Sequence, residues 1–429
     1  MINRLAKSIF LKGLGSVSGG TLHLVAGGSY RFGDPSSNLH ATLAIADERF
    51  FARALATGDI GIGESYMDGD WTSPDLVALI RVMLRNLAHV QGSGGLVRAV
   101  TVFAGLVARR LRDNTVNGSK HHVHRHYDLG NEFFRLFLDT RHLMYSCGVY
   151  ESEHDSLEDA QEHKIDRVCR KLALSSEDHV LEIGTGWGGF AVWAATRYDC
   201  RVTTTTISDE QFRHAREWAA RLGEAGSRLT VLSEDYRKLV GQFDKIVSIE
   251  MFEAVGLKHY DDYFGAVDRL LAPDGVMLLQ TITVDDQYFP NYHRTPDWIE
   301  KYIFPGGELA SVGEILKSLS RKTTMSMYHA ENIGTHYART VHAWRERFNA
   351  RLDEVRALGF NERFIRMWDL YLAYCEAAFL ERHAGDFQLL LARNGTTRTL
   401  MNEPWALEPT AFSRLVYYAR VMESTCRLA

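Results

Sequence analysis

The sequence predicts an α/β protein with a doubly wound sheet and a small α+β unit ahead of it, and three observations carry that reading. The apolar run Val180-Leu181-Glu182-Ile183 passes directly into Gly184-Thr185-Gly186-Trp187-Gly188-Gly189 and then into a helical pattern. That is the sequence form of a buried strand, a tight turn and a helix N-terminus. From about residue 120 onward, strand-like and helix-like stretches alternate, as a mostly parallel sheet with crossover helices requires. Before that point the order differs, and Gln91-Gly92-Ser93-Gly94-Gly95 breaks the chain.

Taken in order, residues 1–115 form the α+β unit, with strands at 21–25 and 41–45 around the turn-rich 33–37, and helices at 47–57 and 74–90. Residues 96–112 then read as a basic amphipathic helix, its apolar centre flanked by Arg98, Arg109, Arg110 and Arg112. Such a helix lies on an anionic bilayer or packs on its own domain. In the second unit, 116–429, strands are expected at 179–183, 201–206, 228–232, 243–249, 275–282, 322–328 and 386–392. Helices at 160–173, 188–198, 209–223 and 258–271 connect the early ones. The stretch 283–320 is too long for a tight connection, and 336–382 reads as long aromatic-rich helices. Both are expected to be insertions that build a lid or a substrate tunnel.

Composition narrows the classes. The 429 residues are 45% apolar and 24% charged, with a formal charge of −5, an ordinary globular balance. Residues 1–120 hold 13 basic and 9 acidic side chains, a mild excess without the basic blocks of a nucleic-acid protein. Five cysteines without a Cys-x-x-Cys indicate neither a disulfide framework nor a zinc site. No stretch approaches the roughly 20 apolar residues of a spanning helix. The expected setting is the reducing cytoplasm, with at most peripheral contact at the inner face of a membrane.

A hydride-transfer dinucleotide site would place an acidic residue about 20 positions beyond the first glycine. Here that position falls in Thr203-Thr204-Thr205-Thr206, which argues against NAD. Glu-x-Gly-x-Gly-x-Gly after a strand instead resembles the S-adenosylmethionine loop of class I methyltransferases, which implies their seven-stranded sheet. Beyond the second strand, Thr206, Ile207, Ser208 and Gln211 stand where an acidic ribose partner would be. After the third, Asp235 is placed to accept an adenine amino hydrogen and Tyr236 to stack on the ring. An N-cap at Ser208 and a surface turn at Asp235 are the alternatives.

Longer motifs carry a closer resemblance. His126-Tyr127-Asp128-Leu129-Gly130-Asn131-Glu132-Phe133-Phe134, Tyr145-Ser146-Cys147-Gly148, Ser248-Ile249-Glu250-Met251-Phe252-Glu253-Ala254-Val255-Gly256, Tyr302-Ile303-Phe304-Pro305-Gly306 and Ala343-Trp344-Arg345-Glu346-Arg347-Phe348 occur in order over about 120–393. Together they resemble the cyclopropane fatty acid synthases, a family that includes the mycolic acid cyclopropane synthases. The resemblance implies methyl transfer from S-adenosylmethionine to the cis double bond of an unsaturated acyl chain in a membrane phospholipid, and a homodimer. It implies that Tyr145, Ser146, the loop Glu182, Gly184, Thr185, Gly186, Trp187, Gly188 and Gly189, then Thr206, Ile207, Ser208, Gln211, Tyr236 and Arg237 hold the cofactor. It also implies that Cys147, Glu253, Ile282 and Tyr337 hold a bicarbonate that removes a methyl proton so that the ring can close.

Two departures bear on this. Gln280 stands where ring-closing members have His, and Ala254 where their motif often has a second His. Glutamine cannot carry charge or relay a proton, so the same cation is open to diversion toward a methyl- or methylene-branched product. Cys375 matches a cysteine proposed as catalytic in the family, although an aromatic helix without a neighbouring His or Lys favours a core thiol. His121, His122, His124 and His126 lack carboxylate spacing, and a lipid-headgroup approach or solvated turn is expected there in place of metal.

Overall fold

The computed structural model of the protein describes residues 2–86, 129–293 and 297–397. The expected boundary near 115, the basic helix at 96–112 and His121, His122, His124 and His126 lie outside the described residues.

The N-terminal unit opens with α1 (Ile2–Leu14) and a four-stranded sheet ordered β2-β1-β3-β4, formed by β1 (Thr21–Val25), β2 (Ser29–Gly33), β3 (His40–Ile45) and β4 (Trp71–Thr72). Helices α2 (Arg49–Thr57) and α3 (Asp59–Met67) join β3 to β4, and α4 (Leu76–Arg85) follows. Four of these elements, α1, β2, α3 and β4, lie outside the expected strands and helices. β2 buries none of its side chains and so carries no period-2 signal. α3 contains Gly61 and Gly63, which read as breakers. Both glycines are there for close approach: a Cβ on Gly61 would sit 2.3 Å from the Arg53 carbonyl oxygen, and one on Gly63 would sit 2.3 Å from the Trp298 ring.

The second unit is a seven-stranded sheet ordered β10-β11-β9-β8-β5-β6-β7. Its strands are β5 (His179–Ile183), β6 (Arg201–Thr205), β7 (Leu229–Leu232), β8 (Phe243–Ile249), β9 (Leu271–Thr283), β10 (Met325–Asn332) and β11 (Gly385–Arg393). Neighbours from β7 to β9 are parallel, and β11 runs antiparallel between β9 and β10. Alternation along the strands sends side chains to opposite faces. Val180, Val202, Val247 and Leu278 pack with α6 (Leu157–Lys171) and α7 (Gly189–Arg197), after the short α5 (Asn131–Arg135). Leu181, Ile246, Met277 and Leu279 pack on the other face with α9 (Tyr260–Leu270) and α10 (Val312–Lys322), while α8 (Asp209–Arg221) lies between β6 and β7.

The expected insertions take shape as short helices at Phe289–Tyr292 and Trp298–Tyr302, and as α11 (Gly334–Ala350) and α12 (Glu362–Leu380) between β10 and β11. Phe133, Phe137, Trp344, Phe348 and Trp368 pack there in one continuous core with Phe50, Phe51 and Trp71 of the N-terminal unit. Polar contacts line the same junction. Arg366 on α12 donates to the carbonyls of Tyr66 and Trp71, and Arg81 and Arg85 on α4 both reach Glu381.

Candidate functional site

In an open parallel sheet the binding crevice forms where strand order reverses, outside the carboxyl ends of the strands. Here the chain runs from β5 outward to β7 and then returns to β8 on the other side of β5. A cavity of about 390 Å³ opens at that point and continues between the inserted helices.

One half is built by the strand ends. After β5 the chain turns through Gly184, Gly186 and Gly188, all at positive φ. A Cβ on Gly186 would meet no protein atom, so this glycine opens onto the cavity, whereas Gly188 packs on Ala215 and a Cβ on Gly189 would sit 2.6 Å from the Met144 sulfur. Glu182, Gly184, Thr185, Gly186 and Trp187 line the space with Thr206, Ile207, Gln211, Asp235, Tyr236 and Arg237. Burial pushes the Glu182 carboxyl up to about 8, opposed by a hydrogen bond from Thr204. Gln211 accepts from the Thr206 hydroxyl, and the Asp235 carboxylate takes two bonds from the Arg237 guanidinium and one from its backbone N–H. Ser208 caps α8 and does not line the cavity, as its alternative reading had it.

Tyr145 and Ser146 close this half. The Ser146 carbonyl accepts from Gln161 and its hydroxyl from the buried Lys164 ammonium, both carried on α6. Upstream, Asp139 ties down the backbone N–H groups of His142 and Met144. Neither Lys164 nor Asp139 is legible in the sequence, since a charged residue in a helical or loop pattern reads as surface.

The other half is apolar and aromatic. Tyr145 shares a hydroxyl hydrogen bond with Tyr371, and its ring lies 5.3 Å from Trp344. Tyr337 stacks on Phe379 with centroids 4.4 Å apart. Cys375 lines this wall from α12, and burial pushes its thiol up to about 12, which leaves it no nucleophilic thiolate near neutral pH.

Between the halves lies a buried polar cluster. Ile282 donates its backbone N–H and Thr281 its hydroxyl to Glu253 Oε1, and burial followed by the nearby Glu250 charge pushes that carboxyl up to about 8. Cys147 donates through its backbone N–H to Glu250 Oε1 at 2.8 Å; its thiol is fully buried, points to the carbonyls of Gly148 and Ile333, and does not border the cavity. Gln280 is also outside the cavity lining. Its amide donates to Glu250 and Asp386 and its carbonyl accepts from Gln388. Tyr337 gives its hydroxyl to Glu250 at 2.5 Å. The groups expected to hold bicarbonate are thus already engaged by two carboxylates, and they do not fit an added anion. Glu250 lies in the Ser248–Gly256 motif, where the residues alone show it no role. Among the described residues no group of His, Cys, Asp and Glu is arranged to hold a metal, and no helix is long and apolar enough to cross a membrane.

The sequence profile of the mycolic acid cyclopropane synthetase family matches residues 115–389. Over 369 residues the chain is 38% identical to the tuberculostearic acid methyltransferase UfaA1 of Mycobacterium tuberculosis, covering 84% of each chain. It is 39% identical over 358 residues to the cyclopropane-fatty-acyl-phospholipid synthase of Escherichia coli K12, covering 82% of this chain and 88% of that one. Among solved structures, the mycolic acid cyclopropane synthase CmaA1 complexed with SAH and CTAB superposes with a TM-score of 0.60 at 31% identity, covering 64% of this chain and 98% of its own. The strand order, the glycine loop over β5 and the matched span agree: the chain belongs to the cyclopropane synthase family of S-adenosylmethionine-dependent methyltransferases.

Proposed function

We propose that the protein transfers a methyl group to the cis double bond of an unsaturated fatty acyl chain in a membrane phospholipid and closes a cyclopropane ring across it. The observation that carries this reading is the single cavity joining the cofactor loop to an aromatic wall, with a carboxylate cluster between them. S-adenosylmethionine supplies an electrophilic methyl on a sulfonium, which an electron-rich alkene can attack. The chain's own groups do the rest. Gly184, Gly186 and Glu182 place the cofactor, and the rings of Tyr145, Tyr337 and Trp344 present π faces to positive charge on the lipid. The apolar wall keeps water from that charge, and a buried carboxylate accepts the proton that must be lost. Membrane contact on this reading is peripheral.

A second product is favoured by one observation, Gln280 in place of His, and by the name of one relative, tuberculostearic acid methyltransferase UfaA1. In that outcome a hydride moves from the methyl-bearing carbon to the neighbouring cationic carbon, the new methyl group then loses a proton, and a methylene branch replaces the ring. The test is incubation with S-adenosylmethionine and vesicles of a cis-monounsaturated phospholipid, followed by mass spectrometry of the acyl chains. A gain equal to one methylene group is expected. Ozonolysis leaves a ring intact and cleaves a methylene branch, which separates the two products. Unchanged lipids in the presence of intact S-adenosylhomocysteine binding would overturn the acyl-chain reading.

A further inference from the structure

Glu250 follows the last residue of β8, at the reversal of strand order, and borders the cavity. Its backbone is held at φ +48, a region an L-residue with a long side chain occupies only when its surroundings over-determine it. The surroundings do so through three donors from three separate parts of the fold. The Cys147 N–H comes from the loop that closes the cofactor half, the Gln280 amide from β9, and the Tyr337 hydroxyl from α11. Donors that converge in this way stabilise the ionised form of the group they meet. Behind Glu250, Asp386 on β11 accepts from the same Gln280 amide, so the two carboxyls share one donor. Burial raises both carboxyls: at Glu250 the three donors oppose the rise, whereas at Asp386 the Glu250 and Glu253 charges add to it and hold the group well above the ordinary carboxylate range.

We propose that Glu250 is the catalytic base, a carboxylate of the protein's own standing on the donors that would otherwise hold a bicarbonate. The assignment rests on the acyl-methylation reading. As the alkene π pair bonds to the methyl carbon, the carbon–sulfur bond breaks and S-adenosylhomocysteine departs with that electron pair. The second alkene carbon is left positive. Glu250 then takes one hydrogen of the new methyl group as a proton, and the freed C–H pair forms the second ring bond. The proton stays on the Glu250–Asp386 pair until the product leaves and water restores the carboxylate. No external base enters, and Tyr337 and Gln280 are positioning residues that hold the carboxylate toward the lipid.

The experiment compares the wild type, Glu250→Gln and Glu250→Gly on cis-monounsaturated phospholipid vesicles, in carbon-dioxide-free buffer and with added bicarbonate or formate. Wild-type turnover is expected to be the same in all three. Glu250→Gln keeps the shape and loses the base, and its turnover is expected to fall by roughly a hundredfold, with S-adenosylhomocysteine affinity unchanged. Glu250→Gly suits the positive φ, so it folds, and it vacates the donors. Its lost activity is expected to return with bicarbonate or formate, and calorimetry should detect bicarbonate binding to this variant and not to the wild type. A wild type that needs bicarbonate, or a Glu250→Gln enzyme with wild-type turnover, overturns the assignment. A wild type inert on every unsaturated lipid despite binding S-adenosylhomocysteine fails the acyl reading itself, and the base assignment falls with it.

Discussion

At the scale of single residues, the site is governed by carboxylates kept out of water. Burial raises Glu182 from its ordinary 4.5 to about 8. A raised folded-state value means that its contribution to the stability of the ligand-free protein is full below about pH 4.5 and is lost as the pH rises through about 8. Urea midpoints should therefore decline across that window, and Glu182→Gln should flatten part of the decline. A cationic ligand beside Glu182 favours its charged form, so S-adenosylmethionine binding near pH 7 should release a proton, measurable as a buffer-dependent heat. Gln280 yields a second expectation. It serves Glu250, Asp386 and Gln388 at once, and Gln280→His cannot reproduce all three bonds, so it should cost about 1–3 kcal/mol in chemical denaturation. What the sequence shows at this scale is uneven. Glu182 and the glycines are legible because a strand pattern fixes their place. Glu250 is not, because Glu250 and Glu253 lie three residues apart in one motif and only the backbone conformation tells which one gathers donors from three other segments.

At the scale of elements, the strands of the large sheet and the helices between them follow from buried runs and alternation. The elements that escape such reading are those whose reason for existing lies elsewhere in the fold. β2 is a strand because β1 offers it a ladder from Thr21↔Gly33 to Val25↔Ser29, although no side chain of β2 is buried. α3 is a helix despite two glycines because α2 and Trp298 press against it where a side chain would collide. Gly63→Ala, which propensity alone predicts to be stabilising, should therefore destabilise by about 1–3 kcal/mol, because Trp298 must move. An unchanged or raised thermal midpoint in this variant would show that Trp298 yields without cost.

At the scale of the whole molecule, the sequence reads as two units, and the structure gives them one core. Phe50, Phe51 and Trp71 share it with Trp344 and Trp368, partners nearly 300 residues apart that no local pattern can reveal. Thermal unfolding should accordingly show one transition for the N-terminal unit and the cavity wall together. Phe50→Ala should lower stability by about 3–5 kcal/mol, with the signals of Trp71 and Trp344 lost in step; two separated transitions would contradict the shared core. α12 connects these observations. Tyr371, Tyr374, Cys375, Ala378 and Phe379 on this helix line the cavity, while Arg366 and Glu381 fasten it to the N-terminal unit. On the acyl-methylation reading, selection on the cavity wall therefore reaches residues that do not line the cavity. In a saturation library scored by acyl product, a band of intolerant positions should appear before residue 86, centred on Phe50, Tyr66 and Trp71, and the same alleles should leave the affinity for S-adenosylhomocysteine untouched.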